Sequence, residues 1–229
     1  MTIGESEFMN FSMEDDGSPG TITALFLSRA AARLFPDSPD PIRIALCVNQ
    51  RKALGTPGAH QSLVGAAMLE YKDKMRGWPL DRQATAYRGM VFAQTREEAV
   101  LAGAGSSKAI TEMLLSKETD QERLGVAAFL GKSADRLLTG SVSYVGKANF
   151  REAEKYIRDF RTWTGASGKY PCIEIAAVNG RFTLDFIQPF SSPLIVNAFL
   201  KELEDNGITY DLQDVSVLDV PNIRLPWSE

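Results

Sequence analysis

Apolar residues recur along this chain with two periods, and the switches between them mark its elements. Ala24, Leu27, Ala31, Leu34 and Phe35 follow a three-to-four spacing, the signature of a helix with one buried face. Ser18-Pro19 opens that helix with a hydroxyl cap and a proline at the first helical position, and Pro36 closes it. After a turn over Pro36 to Pro41, Ile42 to Gln50 predicts a buried strand with Ile44, Leu46 and Val48 on one face, and Leu63 to Tyr71 predicts another. Residues 80 to 115 read as helix in two pieces, broken near Gly103 to Ser107. Thr119-x-x-Glu122 is a capping box for a helix whose apolar positions are Leu124, Ala127, Ala128, Gly131, Ala134, Leu137 and Leu138. Ser141 to Gly146 predicts a strand. Asn149-x-x-Glu152 starts a helix carrying Phe150, Ala153, Ile157 and Phe160, with Gly165 as its stop.

The strongest local signal is Asn179-Gly180, because both central residues of a type I′ turn need positive φ. A two-residue loop there pairs Ala177 with Phe182, Ile175 with Leu184 and Ile173 with Phe186, six apolar residues sharing one face. Ser192-Pro193 opens a helix with Ile195, Phe199 and Leu203, which Asn206-Gly207 ends. Thr209 to Leu218 predicts a last strand. Residues 1–11 read as a lead-in and 219–229 as a tail, around a single domain spanning 1–229. Mixed helices and strands without strict alternation predict an α+β fold, a mixed sheet with helices packed on one face.

Composition narrows the function classes. The 229 residues carry 25 Lys+Arg against 29 Asp+Glu, a net charge of -4, so no overall field draws the chain to nucleic acid or an anionic membrane. The longest apolar runs, Ile44 to Val48 and Val126 to Leu130, fall far short of a bilayer span. The acidic start, Met1 to Asp16, carries no export signal, and the expectation is a soluble cytoplasmic protein. Cys47 and Cys172 are far apart, without metal-like spacing, and read as buried small hydrophobes. His60 is the single histidine, so a multi-histidine metal site cannot form within one chain, and any Ser-His-Asp or Cys-His mechanism would have to use it.

Two segments approach a phosphate cradle and fail on mechanism. Gly125 to Ser133 and Gly140 to Ala148 each separate their glycines by five residues instead of four, and the first lies within a helix pattern. Gly103 to Ser107 lacks the second glycine of a nucleophile elbow and reads as loop. On the second face of the hairpin Glu174 falls opposite Asp185. Like charges across a ladder are unfavourable, so the pair either shares a proton or a cation, or sits on a wet face, or meets a Lys or Arg of a neighbouring strand. Asn49 and Arg51 end the Ile42 strand, placed either to contact a ligand or to tie the strand end to a loop.

The order of these segments resembles a known family. The Ser18-Pro19 helix, Ile42-Arg-Ile-Ala-Leu-Cys-Val-Asn-Gln-Arg51, the Val64-Gly65 strand, Ser141-Val-Ser-Tyr-Val-Gly146 and the run Ile173 to Phe190 with the Ser192 helix are similar to the C-terminal lobe of condensation-type acyltransferases. These include peptide-synthetase condensation domains and alcohol acetyltransferases, with the chloramphenicol acetyltransferase-like two-lobe fold. The resemblance spans roughly residues 12 to 212 and implies one lobe of that fold. It implies Asn49, Ser141, Ser143 and Tyr144 along an acyl or acceptor tunnel, and Arg51 as a brace. The family's His-His-x-x-x-Asp-Gly motif belongs to the N-terminal half, and this sequence has no His-His pair. The resemblance therefore implies a lobe inactive alone, with no catalytic residue and no tightly bound cofactor of its own. Acyl-CoA or acyl-phosphopantetheine would be co-substrate. Its partners would be an N-terminal catalytic lobe in the same or another chain and a carrier protein. The alternatives are a non-catalytic binding module, forming a homodimer through its exposed apolar face, and a different enzyme using Glu174 and Asp185.

Overall fold

The computed structural model describes residues 1–14, 16–164, 169–213 and 215–216. Helix α2 (Pro19–Leu34) is its centre. Ser18 accepts from the backbone N–H of Thr21 while Thr21 Oγ1 accepts from Ser18 N, a reciprocal cap ahead of Pro19. From Pro19 to Ala32 every residue except Arg29 is buried. A helix apolar on nearly all sides needs cover on all sides. Ile22, Leu25, Phe26 and Leu27 are fully enclosed, each contributing about 1.5–3 kcal/mol of burial.

The cover is a six-stranded sheet beneath and helices around. The strands are β1 (Thr2–Gly4), β2 (Ile42–Asn49), β3 (Val64–Tyr71), β4 (Gly140–Lys147), β5 (Cys172–Val178) and β6 (Arg181–Ile187), in spatial order β1-β6-β5-β4-β2-β3. β4 runs parallel to both β2 and β5, and the outer pairs are antiparallel. Ile44, Leu46, Leu69, Val142, Ile173, Ile175, Phe182 and Leu184 join the core with α2. α1 (Glu5–Glu14), α3 (Leu80–Thr95) and α6 (Leu194–Asp205) pack around α2, and α4 (Glu97–Leu115) and α5 (Asp120–Asp135) extend from α3. The fold is α+β with a mixed sheet and helices on one face. On the outer edge of β3 the Gln94 side chain donates to Met68 O and accepts from Met68 N, blunting an edge that would otherwise pair with other chains.

The hairpin forms in the predicted register, Ala177 with Phe182, Ile175 with Leu184 and Ile173 with Phe186, around Asn179 and Gly180 at φ 47° and 77°. Other expectations are corrected. The lead-in 1–11 holds β1 and most of α1, and Phe8 is fully buried against Phe182. The helical break falls at Arg96, in extended backbone ahead of the acidic turn Glu97-Glu98, and Gly103 to Ser107 lie inside α4. The Thr119 box forms, but the inward positions of α5 are Val126 and Leu130, while Leu124, Ala127, Ala128 and Gly131 are exposed. Asn149 accepts from Arg151 N as an Asx turn, and a short 3₁₀ helix over Arg151–Tyr156 replaces the longer helix. In the final segment Asp211 makes one bridge to Thr2. Gly165 and residues 217–229 lie outside the described residues.

Where α6 crosses α2, Glu202 is 1% exposed and accepts from Arg29 Nε at 2.6 Å and Arg33 Nη2 at 2.5 Å. Gln83, also buried, links Arg29, the Tyr71 hydroxyl and Trp78 O. Removing the carboxylate leaves Arg29, whose side chain is 26% exposed, without that counter-ion, while Arg33 keeps Asp205 at 2.9 Å. Glu202→Ala is expected to lower stability by about 2–3 kcal/mol in urea denaturation. An unchanged midpoint would show that the cluster contributes nothing to the α2–α6 contact.

Candidate functional site

With the helices on one side, alternation leaves a second sheet face built from Val64, Ala66 and Met68 of β3, Ala45 and Cys47 of β2, Ser141 and Ser143 of β4, and Cys172 and Glu174 of β5. Val64 and Met68 are 55% and 37% exposed. The two serines are half-buried in the middle, on the strand between the two that carry the thiols, with Ser141 paired to Cys172 in register. Burial pushes both thiols above their ordinary range, so neither is a ready thiolate nucleophile. The cysteines are free. They lie on β2 and β5, with β4 between, and two strand spacings, about 10 Å, exceed disulfide reach.

β4 ends in a bulge. The register with β5 shifts between Tyr144 and Gly146, leaving Val145 unpaired and 55% exposed. Gly146 takes φ 93°, which a residue with a Cβ adopts only under strain. Bulges re-aim a strand end, often beside a functional site.

Toward β6 the same face is closed. Glu174 and Asp185 stand opposite each other as the register requires, and both are buried, at 2% and 8% exposure. They are not on a wet face; the positive charges acting on Asp185 are the Arg161 guanidinium and the Met1 ammonium, which donates to the adjacent Leu184 O at 2.9 Å. Arg161, from the connection between β4 and β5, donates Nη1 to Asp185 Oδ1 at 2.9 Å, and Thr162 Oγ1 lies 3.4 Å from Glu174 Oε2. Phe150 and Phe160 brace that connection edge-to-face. Burial raises the Asp185 carboxyl above its usual range, and the Arg161 guanidinium opposes the rise.

The predicted site residues separate into groups. Ser141 and Ser143 meet on the second face. Tyr144 points the other way, to the helix side, where its ring packs edge-to-face on Phe182 and its side chain lies beside Gly20. Asn49 is exposed at the strand end, and its Oδ1 accepts from Arg51 N and Nη1. Arg51 also donates Nε to Ala59 O and Nη2 to Gln61 O, both at 2.8 Å, clamping the loop that carries the exposed His60. Arg161, Thr162 and the Val145 bulge were missed. Gly146 inside a strand pattern was the available signal for the bulge, whereas nothing local announces a contact made by a crossing connection.

Two shallow hollows, of about 240 and 270 Å³, lie at the sheet margins, by Pro39 and Arg76 and by Glu7 and Arg181. Neither includes the serines. Among the described residues no cluster of His, Cys, Asp or Glu is arranged to hold a metal, and no helix is long and apolar enough to cross a membrane. The second face offers hydroxyls, neutral thiols and apolar surface. These can position a ligand; the carboxylates that the register places on this face are Glu174, which is buried, and Glu70, which Arg43 holds at 3.0 Å.

No protein-family model matches the chain, and no curated protein matches it. Solved structures do. The condensation domain that mediates chain release from the enacyloxin polyketide synthase aligns with TM-score 0.58 at 9% identity, over 94% of this chain and 41% of that one. Polyketide synthase associated protein 5 from Mycobacterium tuberculosis aligns at 0.54 and 16% identity, over 89% of this chain and 50% of its own. TRI101 of F. sporotrichioides, solved with coenzyme A and T-2, aligns at 0.52 and 10%, over 90% and 49%. The chain has the fold found in condensation domains and acyltransferases, and it spans at most half the length of these three structures.

A carboxyl that holds its proton more tightly when folded makes the fold less stable as pH rises from the ordinary aspartate value through the raised one. Losing the guanidinium widens that window. Arg161→Met should therefore cost little below about pH 4 and about 2 kcal/mol near neutral pH, read from denaturation midpoints. A pH-independent cost would exclude Asp185 as the responsible group.

Proposed function

We propose that this chain is one lobe of an acyl-transfer assembly whose catalytic histidine comes from a second lobe. The observation that carries the reading is the pair of coverages: nearly all of this chain aligns, onto at most half of the condensation-domain and acyltransferase chains cited. The second sheet face supports it, since it presents Ser141 and Ser143 on the same side as exposed Val64, Met68 and Val145. In the working assembly a hydroxyl or amine attacks the thioester carbonyl of acyl-CoA or acyl-phosphopantetheine. The histidine of the His-His-x-x-x-Asp-Gly half takes the nucleophile's proton, and the thiol leaves. This lobe supplies walls and positioning, with Ser141, Ser143 and Asn49 as lining residues. Tyr144 has no part in the lining. A carrier protein delivers the acyl group where the donor is phosphopantetheine-bound.

The purified chain is expected to transfer no acyl group from acyl-CoA to hydroxyl or amine acceptors, measured by free-thiol release. Turnover that survives His60→Ala would overturn the proposal, because the chain would then hold a base of another kind. A non-catalytic module with the same fold shares the inactivity, but would not gain activity on adding a histidine-bearing lobe.

A further inference from the structure

The connection from β4 to β5 is fastened in two different ways along its length. Its 3₁₀ turn is anchored through backbone groups: Ile157 N donates to Glu154 O at 3.0 Å, and Glu154 Oε1 accepts from Asn179 N of the hairpin at 3.1 Å. Beyond Ile157 the fastening changes. Among the described residues, no backbone group from Arg158 to Thr164 hydrogen-bonds another backbone group, and the segment belongs to no helix or strand. It reaches the sheet through side chains. Arg161 Nη1 donates to Asp185 Oδ1 at 2.9 Å, while Thr162 Oγ1 lies 3.4 Å from Glu174 and Thr164 Oγ1 lies 3.8 Å from Cys172 Sγ. Segments held in this way open locally, at free energies well below that of unfolding the whole chain.

Closure is also unfavourable for what lies beneath. It buries two carboxylates that face each other in register. Asp159 Oδ1, in the segment itself, and Thr183 Oγ1, two residues from Asp185 on the same strand face, are buried without a hydrogen-bond partner. Such atoms regain water when a cover lifts. The outer side is solvent-facing, with the Arg158 side chain 81% exposed and Trp163 60% exposed. The covered residues continue the open face, since Cys172 is the register partner of Ser141 and Glu174 that of Ser143.

We infer that residues 158–164 are a strap latched by Arg161 onto Asp185, whose release adds Glu174 and Cys172 to the face that carries Ser141 and Ser143. A role for the strap as a gate on acyl transfer rests on the reading above. The latch itself is tested without any transfer, so the two can fail separately.

The test is iodoacetamide labelling of the folded full chain, with Cys47 and Cys172 quantified separately by peptide mass spectrometry. Both thiols are half-buried and both are pushed up by burial. Cys47 lies two strands from Cys172 and reports any loosening of the whole fold. Arg161→Met should raise the Cys172 rate roughly tenfold, the weight of a hydrogen bond to a charged group, and leave Cys47 within about twofold of wild type. In an Asp185→Ala background the latch is already gone, so adding Arg161→Met should change Cys172 by no more than about twofold. An unchanged Cys172 rate in Arg161→Met would overturn the inference. Equal acceleration of both thiols would do so too, because the whole fold and not the strap would have opened. A tenfold effect of Arg161→Met that persists without Asp185 would place the latch elsewhere and equally overturn it.

Discussion

The constraint on which the structure depends is the burial of α2. A sixteen-residue helix enclosed from Pro19 to Ala32 with only Arg29 reaching out has to be surrounded, and the sheet can supply one side only. α1, α3 and α6 are thereby committed to the same face of the sheet. Even the ionic contact of Arg29 and Arg33 with Glu202 serves this arrangement, since it joins α2 to α6.

Committing the helices to one face decides what the other can be. On β5 and β6 it is sealed by the connection carrying Arg161 and Thr162, which leaves Glu174 and Asp185 buried. On β4, β2 and β3 it stays open, with hydroxyls, thiols and apolar side chains. Such a surface has shape and some polarity.

Much of this was legible in the sequence where the signal is local. Asn179-Gly180 fixes a turn, the turn fixes register, and register alone sets Glu174 against Asp185. Ser18-Pro19 similarly fixes the start of α2. Reading failed where a local preference competed with helix propagation or needed a distant partner. Gly103 to Ser107 resembles a loop, but the helix is held on both sides and the true break needs only the extended Arg96. Periodicity found α5 but not its inward side, because two weakly apolar stripes differ only in what they face. Ser141 and Ser143 share one face of the sheet, whereas Tyr144, one residue on, belongs to the opposite face by the two-residue alternation of a strand. Arg161 was invisible, since no spacing links residue 161 to 185 across a connection.

The central claim is that the catalytic base lies outside these 229 residues. The most direct test is to isolate the native assembly from its source cells, determine its mass and composition by intact mass spectrometry, and assay it for acyl transfer. The account predicts that the active material contains a His-His-x-x-x-Asp-Gly lobe, in the same polypeptide or in a second one, and that activity is lost when that lobe is removed. An active native species of 25.2 kDa, with nothing else in the preparation, would contradict it.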